Sequence, residues 1–219
     1  MPQARQELFD TLSGVGRALG NGHRLELLER LAQTEAPVEA LAHATGLSVA
    51  NASQHLQHLR RAGLVTTRRD GRRVVYRLTD ERIVTLIGLM REVAETNLAE
   101  VERLVGRLFA DDDADGALEP MSRNELRAAL ERGDVALLDV RPEPEYRAGH
   151  LPEAINVPAD RLEAMLDRLP RDQEIVAYCR GPYCVLSHEA EQFLRRRGFR
   201  VRRYREGFPE WKAAGLPVA

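Results

Sequence analysis

Residues 45–78 read TGLSVANASQHLQHLRRAGLVTTRRDGRRVVYRL. Gly46 stops one helix, and Ser48 can cap a second that runs through Ala62 and ends at Gly63. Leu56 and Leu59 mark the core side of that helix. Ser48, Asn51, Ser53, Gln54, His55 and His58 carry groups that can reach base edges. Leu64–Arg69 and Arg72–Leu78 are β-prone runs separated by Asp70-Gly71, a strong hairpin signal. Between Gln54 and Arg77 seven arginines face one acid, Asp70, a local charge of +6. A concentrated basic patch is the footprint of phosphate contact. Arg68, Arg69, Arg72 and Arg73 stand at the hairpin tip, where they can hold phosphates or enter a minor groove.

Working outward, the flanks are helical. Leu8, Leu12, Val15 and Leu19 recur at helical spacing, and Gly22–Gln33 and Val38–Thr45 follow as two further helices. Helix, tight turn, helix and basic hairpin together predict a mainly α winged helix-turn-helix with a β-hairpin wing, whose partner is double-stranded DNA. Downstream, Ile83, Ile87, Met90, Ala94, Asn97, Val101, Leu104 and Leu108 are spaced by alternating fours and threes. That 3.5-residue seam predicts one long helix packed lengthwise against another helix, either a second copy of itself, the reading favoured by its length, or its own domain. Ile87, Met90, Ala94, Asn97 and Val101 are the candidate dimerisation residues of this seam, with Asn97 setting register.

The whole chain has 219 residues and a formal net charge of −2, which suits two small domains and excludes a broadly basic nucleic-acid coat. Residues 111–116, DDDADG, read as a solvated linker, giving domains at 1–110 and 120–219 joined by 111–119. No apolar run approaches bilayer length and no signal sequence is apparent, so a cytoplasmic protein without membrane attachment is expected. Beyond the linker, VALLDV at 135–140 and IVAY at 175–178 read as strands buried on both faces. Asn124–Arg132, Leu162–Leu169 and Val185–Arg197 read as helices between and after them. This alternation predicts an α/β domain with a small, mostly parallel sheet. Both cysteines fall in YCRGPYC, residues 178–184, between an apolar strand and a helix. A thiol beneath a helix N-terminus has its thiolate favoured, and the amides of Arg180, Gly181, Pro182-Tyr183 and Cys184 can curl as an anion cradle to which proline adds shape but no N–H.

Two resemblances follow. Residues 8–108, through the Ser53–Val65 core SQHLQHLRRAGLV, resemble the ArsR family of winged-helix repressors. This implies a homodimer built on the first and last helices, which adds Leu8 and Leu12 to the candidate dimerisation residues, bound to a palindromic operator of double-stranded DNA and released by an inducer. Metal-sensing members carry cysteines before the recognition helix or His/Asp clusters on the last helix. Here Val38–Thr45 has no cysteine, and His23, His43, His55 and His58 form no ligand set, so no metal is expected. Residues 120–219 resemble the rhodanese family through LDVR at 138–141, EYRAGHLPEAINVP at 145–158, the cysteine loop, and GFPEW at 207–211. The resemblance implies that Cys179 becomes a persulfide, with Asp139 and Arg141 lining the site. The C-x5-R of cysteine phosphatases is absent, since its arginine position is Val185. Cys184 stands where this loop commonly ends in Arg, Ser or Thr, and a second thiol can resolve a Cys179 persulfide.

The halves together predict a repressor that senses sulfane sulfur through Cys179 and Cys184, with polysulfide, persulfide or thiosulfate as donor. The covalent persulfide takes the place of any cofactor. Two alternatives stay open: a sulfurtransferase with autoregulatory DNA binding, and a repressor responding to arsenite or oxidants through the same cysteine pair.

Overall fold

Capping and turn chemistry set the reading helix as expected. In the computed structural model, which describes residues 2–109 and 118–219, the helices are α1 (Pro2–Leu19), α2 (Gly22–Gln33), α3 (Val38–Ala44) and α4 (Val49–Arg61). Gly46 takes φ +65°, which lets the Leu47 N–H turn back to the Ala42 carbonyl at 2.9 Å and closes α3. The Ser48 hydroxyl then accepts from the Asn51 N–H at 3.2 Å and starts α4. Leu27 and Leu28 of α2, Leu41 of α3, and Leu56 and Leu59 of α4 are fully buried in one core. The strands are β1 (Ala36–Pro37), β2 (Val65–Asp70) and β3 (Arg73–Leu78), an antiparallel sheet in the order β1-β3-β2. Asp70 pairs with Arg73, so the hairpin loop is Gly71-Arg72, one residue later than the Asp-Gly pattern suggests. Gly71 supplies the left-handed φ of +58°. These elements make a winged helix-turn-helix.

The seam of the last helices differs from expectation. It is broken into α5 (Arg82–Asn97) and α6 (Ala99–Leu108) by an extended Leu98, φ −118° and ψ 99°. Asn97 turns its amide onto the Val93 carbonyl at 2.8 Å, a local bond within its own helix. Ile83 and Ile87 pack into the first core. The exposed apolar stripe of α5 is instead Leu86, Leu89, Met90 and Val93, matched on α1 by Leu8, Phe9 and Leu12. Ala94 and Val101 are half-buried, and Asn97 is exposed.

The chain packs as two compact units, residues 1–87 and 88–219, with the division inside α5. The expected border, the 111–119 linker, lies outside the described residues except for the exposed Leu118 and Glu119. The second unit adds α7 (Arg123–Arg132), β4 (Val135–Asp139), α8 (Glu143–Ala148), β5 (Ile155–Asn156), β6 (Glu174–Cys179), α9 (Val185–Arg195), β7 (Val201–Gly207) and α10 (Phe208–Ala213). Its four strands are all parallel, in the order β5-β4-β6-β7. Strand β6 is buried on both faces: Val176 and Tyr178 join one core, Ile175, Ala177 and Cys179 the other. The expected helix at 162–169 is a run of tight 3-10 turns over Glu163–Arg168. No described helix is long and apolar enough to cross a membrane.

Because the Ser48 hydroxyl is the cap of α4, Ser48→Ala is expected to cost roughly 1 kcal/mol, while Ser48→Asn keeps the stability. Thermal unfolding of the two variants checks this; an equal loss in both would remove the cap from the account.

Candidate functional site

Two sites emerge, one on each unit. On α4, Ala52, Leu56 and Leu59 face inward and Asn51, Gln54 and His58 lie exposed along the opposite side. Ser53 is half-buried on the flank. His55 departs from the expected reading face. Its ring lies 5.7 Å from that of His23 on α2, and its Nδ1 is buried without a hydrogen-bond partner. Burial, then the charges of Arg24, His23 and His58, lower its pKa, so a neutral ring is favoured there. On the wing, Arg69, Arg72 and Arg73 are exposed. Arg68 is committed elsewhere: its Nε donates to both Glu35 oxygens at 2.9 Å, and its Nη2 also bonds that carboxylate. The bond from Arg68 holds the Glu35 carboxyl below its usual range. All four tip arginines are exposed, and one of them, Arg68, is also paired to Glu35.

In the second unit, β6 delivers Cys179 to the sheet's C-terminal edge, and residues 180–184 lead into α9. Cys179 and Cys184 are joined by a disulfide, with Cα atoms 6.3 Å apart. Cys179 is 1% exposed, whereas Cys184 is half-buried at the N-cap of α9. Gly181 is buried, and Pro182 and Tyr183 are half-buried. The Cys184 N–H donates to the Gly181 carbonyl at 3.1 Å, which tightens the curl. The Arg180 side chain leaves the loop for Glu145 of α8, with Nη2 to Oε1 at 2.6 Å. It supplies backbone to the loop and its charge to α8.

Asp139 and Arg141 have no exposed side-chain surface and pair with each other, Nη2 to Oδ2 at 2.6 Å. Arg141 also donates to the Gly149 carbonyl at 2.8 Å and lies 4.4 Å from the Phe208 ring centroid. Burial disfavours the Arg141 charge, but the Asp139 carboxylate more than restores it, and its pKa is raised. The pair is thus sealed beneath the crest and positions it. A pocket of about 370 Å³ opens beside them, lined by Val140, Pro142, Pro158 and Arg161 and by Leu186 on the first turn of α9. Among the described residues no group of three or more His, Cys, Asp or Glu could hold a metal ion.

Gly207 is the site residue that sequence reasoning left without a role. It pairs with Cys179 across β6–β7. A Cβ on it would lie 2.4 Å from Gly181 N and 2.5 Å from the Arg180 carbonyl carbon. Only glycine lets β7 approach the loop that closely. Its N–H donates to Glu210 Oε2 at 3.1 Å. The signal available in the sequence was the glycine opening GFPEW at 207–211.

A winged helix-turn-helix joined to a parallel α/β unit with a strand-end cysteine loop defines a DNA-binding regulator carrying a rhodanese-like domain. Residues 19–68 match the helix-turn-helix domain family, and residues 122–214 match the rhodanese-like domain family. The chain is 44% identical over 211 residues to the HTH-type transcriptional regulator Rv0324 of Mycobacterium tuberculosis, covering 96% of this chain and 91% of that one. It belongs to that family of transcriptional regulators, with an ArsR-type helix-turn-helix before a rhodanese-like domain. Over 86 residues the chain is 33% identical to a sulfurtransferase of Allochromatium vinosum, 39% of this chain and 78% of that protein. Among solved structures, the homodimeric winged helix-turn-helix DNA-binding domain (fragment 1–100) of Mb0332 from Mycobacterium bovis, a possible ArsR-family regulator, is 45% identical. That match covers 43% of this chain and 87% of the other, with a TM-score of 0.41.

Since the Gly207 contacts are to backbone atoms that cannot step aside, Gly207→Ala is expected to lose about 1–3 kcal/mol by overpacking. Calorimetry should find Tm lowered by roughly 2–10 °C; an unchanged Tm would mean that β7 does not press on the loop.

Proposed function

We propose that the protein is a cytoplasmic, homodimeric repressor of double-stranded operator DNA whose cysteine pair detects sulfane sulfur. The observation that carries this reading is the Cys179–Cys184 bond within one strand-to-helix loop. The N-terminus of α9 favours thiolate at this position, which suits attack on a polarised sulfur. The Cys179 thiolate attacks the outer sulfur of a persulfide RSSH, breaking its S–S bond, releasing the thiolate RS⁻ and leaving a Cys179 persulfide, –S–SH. The Cys184 thiolate then attacks the Cys179 sulfur, breaks its bond to the outer sulfur, and expels hydrosulfide. The dithiol gives up two electrons and becomes the disulfide, while the sulfane sulfur is reduced to sulfide. Polysulfide and thiosulfate are donors of the same class. A loop that ends in its own cross-link releases no persulfide to an acceptor, so sensing is favoured over turnover. The homodimer is supported by the exposed Leu8, Phe9 and Leu12 of α1 and Leu86, Leu89 and Val93 of α5.

Polysulfide treatment of the reduced full chain should convert the dithiol to the disulfide. It should also change affinity for the chain's own upstream promoter DNA by about 5–150-fold, the usual range of such coupling. Mass spectrometry of the 178–195 peptide should show Cys184→Ser arrested one sulfur atom heavier at Cys179, and Cys179→Ser unmodified and unresponsive in gel shifts. A Cys179→Ser protein that still responds would end the sensing assignment.

DNA contact by the exposed wing arginines is separable. Arg72→Ala with Arg73→Ala is expected to weaken binding and reduce the slope of log K against log salt by about one to two. An unchanged slope would take the wing off the DNA.

A further inference from the structure

The helix that leaves the winged unit carries two charged side chains against the cysteine loop. The first turn of α5 contributes Ile83 to the winged core. Further along the same helix, Glu95 accepts a hydrogen bond from the Tyr183 hydroxyl at 2.5 Å. Tyr183 lies between the two bonded cysteines, so its backbone is part of the closed loop. Arg91, one turn before Glu95, lies 5.8 Å from the centroid of the Tyr183 ring. Its Nη1 is 3.5 Å from Glu210 Oε1, and both side chains are largely buried. Glu210 in turn accepts from the Gly207 N–H, the residue pressed against Arg180 and Gly181. Burial and then the Glu95 carboxylate push the Tyr183 hydroxyl up, so it remains a donor.

We infer that Arg91 and Glu95 form a latch that reads the cross-link state of the cysteine loop, Glu95 through Tyr183 and Arg91 through Glu210. The inference rests on the cysteine pair of the proposed function, but it adds residues on α5 that touch neither sulfur nor DNA. With the disulfide closed, residues 179–184 are held in one short ring and Tyr183 presents its hydroxyl to Glu95. With the bond reduced, the loop regains its conformational freedom and holding Tyr183 on Glu95 carries a larger entropic cost. Residues 88–97 of α5 are then tethered less firmly. Because α5 is continuous with the winged core, its order is a physical route out of the thiol site. Both contacts are positioning contacts, since neither residue touches a reacting sulfur.

The test is amide hydrogen exchange of the full chain, fully reduced with dithiothreitol or oxidised to the Cys179–Cys184 disulfide with diamide. Residues 88–97 are expected to exchange about tenfold more slowly in the disulfide form, the effect of one charge-assisted hydrogen bond. In Glu95→Ala and Arg91→Ala the difference between the two forms should shrink severalfold, while the cysteines still oxidise completely. Equal exchange in both forms of the unaltered chain, or an undiminished difference in Glu95→Ala, would overturn the latch. Neither a sulfur donor nor DNA enters this measurement, so the latch and the sulfane-sulfur reading stand or fall separately.

Discussion

The second unit depends on a charge that has no access to water. Arg141 is fully buried, and its guanidinium survives there because Asp139, two residues earlier on the same strand end, meets it with both carboxylate oxygens. Removing either partner from such a pair leaves an uncompensated buried ion, a cost of about 3–5 kcal/mol. The remaining contacts of Arg141, to the Gly149 carbonyl and to the Phe208 and Tyr178 rings, draw three further segments to one point. The Tyr178 hydroxyl accepts from the Leu151 N–H at 3.1 Å, and the next residue is Cys179. The cysteine loop is therefore mounted on a rigid crest, and its freedom is confined to residues 180–184.

In the proposed sensing reading, that confinement gives the thiol chemistry a mechanical consequence. A loop of this length, clamped at one end by β6 and at the other by α9, changes its accessible conformations sharply when its two ends are joined. Gly207 on one side and Tyr183 on the other are the points where such a change meets the rest of the unit. Both lead to α5, through Glu210–Arg91 and through Glu95. Ion pairs with little exposure transmit position better than surface pairs, which are loosened by water and salt.

On the DNA-reading unit the same logic distinguishes among similar residues. Four arginines at the wing tip are alike in the sequence and all exposed, yet Arg68 alone forks onto Glu35 from the segment before β1. His55 and His58 are three residues apart on one helix, yet His55 meets His23 and only His58 lies exposed. Charge and hydrogen-bonding capacity nominate candidates; the neighbours supplied by the fold decide which of them face a partner.

Neighbouring residues settle whatever local chemistry controls. The cap at Ser48, the stops at Gly46 and Gly63, and the doubly apolar runs of β4 and β6 are written in adjacent residues, so the reading helix, the two central strands and both domain classes were legible. The placing of both thiols in one strand-to-helix loop was legible for the same reason. Tertiary structure decided what depends on residues far apart in the chain. The edge strand β7, VRRYREG, is too charged to read as a buried strand, because Arg202, Arg203 and Glu206 are satisfied by Glu174, Glu191 and Arg123 from other elements. The 3.5-residue seam and the exposed apolar stripe of α5 share Met90 but differ earlier, because Ile83 and Ile87 pack on the winged core. Nothing in the spacing of Arg91 and Glu95 points to Tyr183 and Glu210, since a side chain's partner is set by where the chain returns in space.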